Sequence, residues 1–500
     1  MASEPKTQRR RRQRQRLLTI DTNSGERRVS WLDLFFDLVF VIAVSHVASV
    51  LAAETNLVGL IKYTVLFLAV WWAWIGHTFY ADRFESDESD YRVITFAAML
   101  AVAAMALRID TAFTPEGSDA FAVSYSIVLL ILAASYARTA IFVPLARKLA
   151  LPYIIGLGSS ASIFLLSVLV EPPAQFAIWA VGLALALATP FLNAKIARVI
   201  PIDHSHIPER FGLFTIIVLG EAVIATANGA ASVPWSLLSA LIGVFGFAMA
   251  ACIWWLNFEF VEDDAIKRPV LLPRIIYLYG HYFMVSSVVA LGIGIEHAIK
   301  ESGEAHLHTP TLFLLGGGVS IFLAAITIIR LVAGVYSLVY FRFGAIVLSL
   351  VITAVGPFVL PIAVVAGLLG VLIVSVLIEI RLNIPTAKDE TPQLSPCEHE
   401  DSAVVFEPRS SEGCEECVKN NYKWVHLRLC LTCGHVGCCD SSKNKHATKH
   451  YHEEEHPLIA SLEEDENWSW CYADERFVPL ETRLGNYRPS KIELVEKEVG

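Results

Sequence analysis

Cysteine and histidine are concentrated in one part of this 500-residue chain, where eight of its nine cysteines fall between residues 397 and 471. Thiolates and imidazoles bind zinc in tetrahedral sets of four, and a Cys-x2-Cys pair presents two sulfurs from one tight turn. Two such pairs are present, Cys414 with Cys417 and Cys430 with Cys433. The other candidate ligands are Cys397, His399, Cys438, Cys439, His446, His450, His452, His456 and Cys471. These residue types and spacings predict a zinc-binding module.

Disulfides are the alternative use of these cysteines, and the cell compartment decides between the two. Oxidising compartments favour disulfides, whereas the reducing cytoplasm keeps thiols free to bind metal. The charges that flank the apolar segments, considered below, place the module in the cytoplasm. We therefore predict zinc as the cofactor.

The chain before this module is strongly apolar. Hydrophobic residues make up 55% of the protein, charged residues 18%, and the mean hydropathy is +0.52, which is typical of a membrane protein. A spanning helix needs about 20 mostly apolar residues. About twelve segments meet this requirement: 31–53, 57–80, 92–108, 120–142, 152–170, 174–194, 210–228, 235–258, 274–298, 310–331, 342–359 and 361–380. The first is too long for the apolar region of a cleaved signal peptide, so it is predicted as a span.

Lysine and arginine test the number of spans, because they accumulate on the cytoplasmic side of a membrane. One side receives the basic N-terminus and Arg83, Arg92, Arg147, Lys148, Lys195, Arg198, Arg210, Lys267, Arg268, Arg274, Arg330 and Arg342. The other side has Lys62, Arg108 and Lys300 near its loops. This alternation predicts a multi-pass cell-membrane protein with both termini in the cytoplasm. The net charge of −10 is segregated along the chain and indicates no nucleic-acid partner.

The predicted fold is an all-α polytopic membrane bundle of about twelve spans, followed by a small α+β zinc-binding domain. Spans one and seven each place phenylalanines ahead of an acid, which weakly suggests a duplication of six helices. The predicted domains are a basic N-terminal segment (1–30), the membrane domain (31–381), a linker (382–396), the zinc-binding module (397–480) and a tail (481–500).

Ionisable residues inside the predicted spans form a second candidate site. Asp33 and Asp37 lie at positions i and i+4 on one face of the first span, and Glu221 lies in the seventh. Such residues are costly in a bilayer and are functional candidates by default. With Arg138 they could form an ion or proton path, or they could be buried pairs, such as Asp37 with Arg138, that fix helix packing. Asp33 is also near enough to the helix start to act as a cap. Histidines within spans that we interpret as packing residues include His46, His77 and His281.

The membrane half resembles the low-temperature-requirement A family. Its opening, Trp-Leu-Asp-Leu-Phe-Phe-Asp-Leu-Val-Phe at residues 31–40, is similar to the hallmark of that family. The resemblance continues through Tyr-Ala-Asp-Arg-Phe at 80–84 and Glu-Arg-Phe-Gly-Leu-Phe-Thr-Ile-Ile-Val-Leu-Gly-Glu at 209–221. It implies an integral membrane protein linked to growth at low temperature, in a family without an established molecular activity.

The cysteine-rich region resembles the UBP-type zinc finger of ubiquitin-specific proteases, through residues 414–417, 424–438, 446–450 and 456–458. The resemblance implies one zinc on Cys414, Cys417, Cys438 and His446, and a second on Cys430, Cys433, His450 and His456. A third zinc would use Cys397, His399 and Cys471. Family members with three zincs have a final cysteine where this chain has Asp474. A carboxylate can bind zinc, so the sequence leaves the third site open.

The resemblance does not extend to the pocket for the ubiquitin tail. Family members hold the tail carboxylate with an Arg-Tyr pair that follows Cys-Gly, where this chain has Cys438-Cys439-Asp440-Ser441. Asp440 would repel a carboxylate. The predicted partner is therefore an unknown cytoplasmic protein or peptide rather than a ubiquitin tail. The unassigned Cys439, His426, His435 and His452 are interpreted as packing or support for the ligands.

Two functions fit these features. The first is an ion- or proton-coupled transporter or channel that uses the intramembrane carboxylates and carries a cytoplasmic recognition module. The second is a membrane-anchored signalling or interaction scaffold that acts through the zinc finger without transport. No enzyme is predicted, because protease and nucleotide-loop signatures are missing from the sequence and sets of four protein ligands are typical of structural zinc.

Overall fold

The structure, a computed structural model, describes residues 30–84, 89–192, 206–260, 271–336, 338–382, 397, 399, 402–403, 407–463, 469–474 and 476–478. The chain divides into two compact units, Met1–Ile384 and Pro385–Gly500. Most of the predicted N-terminal segment and linker and the whole tail lie outside the described residues, as do the basic residues Lys195, Arg198, Lys267 and Arg268.

Within the described residues, the first unit contains twelve long helices. They are α1 (Trp31–Ala53), α2 (Leu57–Phe84), α3 (Ser89–Ala106), α4 (Ser118–Phe142), α5 (Arg147–Ser167), α6 (Ala174–Leu192), α7 (His206–Ala231), α8 (Leu237–Phe260), α9 (Leu271–Lys300), α10 (Thr309–Ala333), α11 (Val339–Val355) and α12 (Pro361–Leu382). A short 3-10 turn, Gly356–Phe358, separates α11 from α12. The prolines near residue 360 therefore mark a break between two helices.

Eleven of these helices are long and apolar enough to cross a membrane, and α6 contributes a shorter apolar segment over Ala174–Pro190. The sequence predicted about twelve spans, and the difference lies at α6, whose predicted end at residue 194 falls outside the described residues. Large apolar side chains such as Leu38, Ile61 and Phe247 are 59%, 57% and 60% exposed. An outer surface of this kind requires lipid around it. The first unit is therefore a multi-pass membrane domain.

Helix α1 begins with a capping box that involves one of the predicted acids. Ser30 is the N-cap, and its hydroxyl accepts a hydrogen bond from the backbone N–H of Asp33 at 3.1 Å. The Asp33 carboxylate accepts in turn from the backbone N–H of Ser30 at 3.4 Å. Asp33 thus serves the cap from the third helical position. The buried face of α1 then continues through Asp37, Phe40 and Val44, so acids and apolar core share one face.

The two sets of six helices, α1–α6 and α7–α12, have similar neighbours. Helix α1 packs against α2 and α3, and α7 packs against α8 and α9. Helix α4 packs against α3 and α5, and α10 packs against α9 and α11. The sets meet where α1 and α2 contact α7 and α9, a surface that we call the inter-half interface. The Tyr63 hydroxyl donates across it to the Ser286 carbonyl at 2.5 Å, and the Tyr282 hydroxyl to the Thr64 carbonyl at 3.0 Å.

In the part of the second unit that the structure describes, there is a five-stranded antiparallel sheet with strand order β2-β1-β3-β4-β5, together with two helices. The elements are α13 (Glu415–Lys419), β1 (Leu427–Cys430), β2 (Val436–Cys438), α14 (His446–Glu454), β3 (Leu458–Ser461), β4 (Ser469–Cys471) and β5 (Arg476–Phe477). Its core combines apolar residues such as Leu429, Val436 and Leu458 with buried cysteines. Small domains with so little apolar core are commonly stabilised by a bound metal.

Candidate metal centres and intramembrane ion cluster

The first cysteine–histidine group brings together Cys414, Cys417, Cys438 and His446. The Nδ1 atom of His446 lies 3.1, 3.3 and 3.5 Å from the sulfurs of Cys414, Cys417 and Cys438, and the last two sulfurs are 3.9 Å apart. Zinc–sulfur bonds of about 2.3 Å and zinc–nitrogen bonds of about 2.0 Å set tetrahedral ligand atoms roughly 3.5–3.8 Å apart. The group therefore has close to the size that one zinc ion requires.

The second group joins Cys430, Cys433, His450 and His456. The Nε2 atom of His450 lies 3.3 Å from the Cys433 sulfur and 3.3 Å from Nδ1 of His456. Burial raises the pKa of the Cys430 thiol to about 11 and lowers the pKa of His450 to about 4. Without a cation this environment favours a neutral thiol and a neutral imidazole. A zinc ion would displace the thiol proton and bind the imidazole lone pair.

The third group consists of Cys397, His399, Cys471 and Asp474, whose ligand atoms all lie within 4.8 Å of one another. Oδ2 of Asp474 lies 3.0 Å from the Cys397 sulfur and 3.3 Å from Nδ1 of His399. Asp474 thus occupies the fourth ligand position that the sequence left open. Its side chain and that of His399 are 28% and 36% exposed, so this group is more open to solvent than the first.

The β1–β2 hairpin explains how ligands distant in sequence meet. Cys430 ends β1 and Cys438 ends β2, so one hairpin serves both the first and the second group. A Cβ atom at Gly437 would lie 2.6 Å from the backbone nitrogen of Ala447, which means that only glycine permits this approach of α14 to β2. That approach places His446, the first residue of α14, beside Cys438.

Side chains that the sequence left unassigned support these groups or lie beside them. The Nε2 atom of His435 lies 2.7 Å from a carboxylate oxygen of Glu416, and its ring stacks on His450 at 4.1 Å. His435 therefore holds a ligand of the second group in place. Cys439 lies 4.0 Å from Nδ1 of His426, and His452 packs against Tyr451.

Asp440, at the position where the resemblance to the UBP-type finger implies a tail-binding residue, lies exposed between β2 and α14. Its carboxylate accepts a hydrogen bond from the Thr448 hydroxyl at 2.5 Å, and that hydroxyl lies 3.2 Å from the Tyr472 hydroxyl. These contacts fix a negative charge at the surface of the finger. A carboxylate ligand would be repelled there.

The membrane domain contains an ion cluster that joins α1 to α7. Arg210 forms ion pairs with Asp33 and, at 2.6 Å, with Asp37, and all three side chains are deeply buried. The indole N–H of Trp74 also donates to Asp37 at 2.8 Å. We call Asp33, Asp37 and Arg210 the α1–α7 ion cluster. It lies at the inter-half interface and fastens the first set of helices to the second.

The proposed pair of Asp37 with Arg138 is wrong. Arg138 lies near the end of α4, next to the first turn of α3, and its guanidinium binds Asp90 at 2.7 and 2.8 Å. The cation beside Asp37 is Arg210, which the charge pattern of the sequence places in a loop. A buried arginine in the first turns of a span and a loop arginine look alike in the sequence.

Glu221 also lies at the inter-half interface, but in a separate place. It is buried, and the Ser45 hydroxyl of α1 donates to it at 3.4 Å. Ser45 follows Asp37 by eight residues, which corresponds to about 12 Å along α1. The fully buried side chains of Phe40, Val44 and Phe214 lie on α1 and α7 within this interval. The acids therefore occupy two polar layers separated by an apolar layer.

The membrane domain contains a second buried ion group, which the sequence pattern does not predict. Glu379 of α12 accepts from Arg342 at 2.6 Å and from Arg330 at 3.2 Å. The charge pattern of the sequence assigns both arginines to loops. The available signal was Glu379 itself, an acid inside a predicted span.

The described architecture defines a multi-pass helical membrane domain joined in sequence to a compact cysteine- and histidine-rich module. The family profile described as "Bacterial low temperature requirement A protein (LtrA)" matches residues 28–378. The protein therefore belongs to the low-temperature-requirement A family. An uncharacterized protein of Rhizobium meliloti (strain 1021) is 28% identical over 328 residues, which cover 60% of this chain and 77% of that protein.

The C-terminal module matches the profile "Zn-finger in ubiquitin-hydrolases and other protein" over residues 414–482. Ubiquitin carboxyl-terminal hydrolase 16 of Mus musculus is 41% identical over 78 residues, which are 14% of this chain and 9% of that enzyme. A protein of Rhodopseudomonas palustris whose structure was solved by solution NMR is 49% identical over the matched region. The match covers 17% of this chain and 84% of that protein, with a TM-score of 0.17. The similarity to the hydrolase thus concerns the finger alone.

Proposed function

We propose that the protein is an ion- or proton-coupled transporter whose path lies at the inter-half interface. The observation that carries this proposal is the position of Asp37 and Glu221, two buried carboxylates on helices that meet there. Ionisable residues are rare in membrane spans and commonly mark ion or substrate pathways. The similar neighbours of α1–α6 and α7–α12 agree with transporters built from repeats, which bind between their halves.

The apolar layer between the two acids favours alternating access over an open pore. Phe40, Val44 and Phe214 are fully buried in that layer, and the ring of Trp74 lies 4.4 Å from that of Phe214. Ions do not cross such a layer without a change in helix packing. One set of helices would have to move against the other to expose Glu221 and Asp37 in turn.

Ion flux into vesicles reconstituted with the purified protein tests this function. Asp37→Asn and Glu221→Gln should each abolish the flux of protons, Na⁺ or K⁺ that the wild type supports. Glu301→Gln is the matched control, because Glu301 is also buried but accepts hydrogen bonds from the Thr311 hydroxyl and the backbone N–H of His308, which lie ten and seven positions further along the chain. Fluxes that are unchanged in both interface variants would reject a transport role for these acids.

A scaffold that acts through the finger is the second candidate function. Its support is the separate compact unit at the C-terminal end of the chain, since fused binding modules normally serve recognition. A chain truncated after Arg381 distinguishes the two. A transporter should keep basal flux after truncation, whereas a scaffold should lose its cellular phenotype.

For the finger we propose structural zinc at the first two groups and a third zinc completed by Asp474. Each group offers four protein ligands, which is typical of structural rather than catalytic zinc, and we propose that the protein is not an enzyme. The fixed negative charge of Asp440 supports a protein or peptide partner other than a ubiquitin tail.

The distribution of basic residues along the membrane domain supports cytoplasmic termini. Protease protection of the finger in sealed, right-side-out vesicles would test that orientation.

A further inference from the structure

Glu221 on α7 has a bare carboxylate oxygen in the interior of the membrane domain. The residue is 6% exposed. The Ser45 hydroxyl donates to its Oε1 atom at 3.4 Å, whereas Oε2 has no hydrogen-bond partner among the described residues. A buried polar atom without a partner is costly. Oε2 of Glu221 therefore calls for a ligand.

Glu296 on α9 is a neighbouring acid that already has a cation. The ammonium of Lys300, one turn further along α9, lies 2.6 Å from the Glu296 carboxylate. The charges of Glu296 and of His46 both act on Glu221, so these groups lie near one another. Glu296 holds its own counter-charge, and the position open to a new positive charge is Oε2 of Glu221.

The helix packing beside Glu221 favours a proton over a metal ion. A Cβ atom at Gly292 of α9 would lie 2.7 Å from the Cα atom of Ala222 on α7. A Cβ atom at Gly229 of α7 would lie 3.0 Å from the Cα atom of Glu296. Metal ions such as Ca²⁺ and Mg²⁺ take about six oxygen ligands, for which so close a crossing leaves little room. A proton needs a single oxygen.

His46, the residue after Ser45, connects this site with the loop between α3 and α4. Its Nδ1 atom lies 2.5 Å from Oδ2 of Asp110 in that loop, and the Ser49 hydroxyl donates to Oδ1 of Asp110 at 2.5 Å. Because a carboxylate only accepts, Nδ1 carries a hydrogen and Nε2 keeps its lone pair. The side chains of His46 and Asp110 are 29% and 45% exposed, so water can bring a proton to His46.

We propose that the transported or coupling ion is a proton that binds Glu221 and enters through His46. The proton first binds the lone pair of His46 Nε2, which gives an imidazolium whose Nδ1–H still donates to Asp110. It then passes through a bridging water molecule to Oε2 of Glu221, which leaves a neutral imidazole and a neutral carboxylic acid. This assignment rests on the proposed transport function and names its ion. It also replaces the packing role predicted for His46 from the sequence.

The charged groups around the two residues determine how proton entry depends on pH. Helices α1 and α9, which both contact α7, place His46 and Glu296 near Glu221. Lys300 is engaged with Glu296, and Asp110 with His46. His46 must be protonated before it can pass a proton to Glu221. Proton flux should therefore rise as the pH falls on the side of the α3–α4 loop.

Proton flux in proteoliposomes tests the assignment. The full-length protein is reconstituted with a trapped pH-sensitive dye, and a K⁺ diffusion potential set with valinomycin drives proton entry over a series of pH values. Glu221→Gln should abolish proton flux, whereas Glu221→Asp keeps a carboxylic acid and should retain part of it. His46→Gln should lower proton flux by a factor of about 100 and remove its pH dependence, because a positioned proton carrier is lost.

His297→Gln is the matched control. His297 on α9 lies at the same end of the inter-half interface, but its Nε2 atom is 3.2 Å from the Ala52 carbonyl, and a glutamine amide can keep this hydrogen bond. Its flux and pH profile should equal those of the wild type. Size-exclusion profiles show whether each variant is folded, and His46→Asn or Glu221→Asn replaces a variant that is not.

The outcomes separate this inference from the proposed function. Proton flux that persists unchanged in Glu221→Gln overturns the proton site, and proton flux that persists unchanged in His46→Gln overturns the entry route. A wild-type flux of Na⁺ or K⁺ that Glu221→Gln abolishes, without proton flux, keeps the transporter and overturns the proton. A wild type that carries none of these ions rejects both.

Discussion

The candidate zinc-ligand groups of the finger and the α1–α7 ion cluster obtain their positive charge from opposite sources. Each gathers electron-rich side chains around one positive centre. In the finger that centre would be a zinc ion from outside, held by atoms such as the sulfurs of Cys417 and Cys438, 3.9 Å apart. In the membrane domain the centre is Arg210, which the chain itself brings to Asp37. The finger should therefore depend on metal supply, and the cluster on the packing of two sets of helices.

Removal of zinc should have the largest effect, and it should be confined to the finger. Structural zinc contributes about 10–16 kcal/mol in small zinc-finger peptides, more than the apolar core of this unit can replace. Chelation, or Cys417→Ser, should abolish the protection of backbone amides in residues 407–463 against hydrogen exchange in the full-length protein. Amides of α1–α12 should remain protected.

Cys439→Ser is the control for that experiment, since Cys439 is buried but belongs to none of the three ligand groups. Its amide protection should equal that of the wild type. Full protection after chelation would show that the finger folds without metal, and the contrast with the α1–α7 ion cluster would disappear.

Loss of the internal cation should have the next largest effect. Arg210→Met removes the guanidinium that forms ion pairs with the buried carboxylates of Asp33 and Asp37, and breaking a buried pair in this way costs about 3–5 kcal/mol. Thermal unfolding in detergent should show a clear loss of stability. Arg138→Met should cost less, because its partner Asp90 is 45% exposed and can be hydrated.

The triple variant Asp33→Asn, Asp37→Asn and Arg210→Met sharpens the comparison. It removes all charges of the α1–α7 ion cluster together, and replacement of a whole buried ion group by neutral residues is often close to neutral for stability. Most of the stability lost in Arg210→Met should therefore return. If the triple variant is as unstable as Arg210→Met, the loss comes from packing around Arg210 rather than from unpaired charge.

The two regions also differ in how far their sequences predict them. The candidate zinc ligands come in local pairs such as Cys414 with Cys417, so chain spacing carries most of the information. The twelve apolar segments are equally local, because hydrophobic runs specify helices in a bilayer. The ion cluster joins α1 to a residue 173 positions away, and nothing local distinguishes Arg210 from Arg138 as the partner of Asp37. Only the packing of α7 against α1 identifies Arg210 as the partner of Asp37.

The positive-inside rule assigns arginines near span ends to loops, and for this reason it does not predict the buried ion pairs of the membrane domain. Arg330 and Arg342 lie near helix ends, where a lysine or arginine is normally counted as a loop charge. Both are buried against Glu379. An arginine near a span end should therefore be compared with acids in neighbouring spans before it is assigned to a loop.

The third ligand group should show the smallest effect of the series. Asp474→Ala removes one ligand of an exposed group, while the first two groups remain complete. Zinc bound per protein, measured by atomic absorption, should fall by one, and the amide protection of β1–β3 should stay at the wild-type level. Asp474→Cys should keep the full zinc content, because it supplies the cysteine expected at this position in UBP-type fingers with three zinc ions. An unchanged zinc content in Asp474→Ala would mean that Cys397, His399 and Cys471 hold the ion without the carboxylate, or that the ion is not there. Cys471→Ser then separates these cases, since it lowers the zinc content only if the third ion is bound.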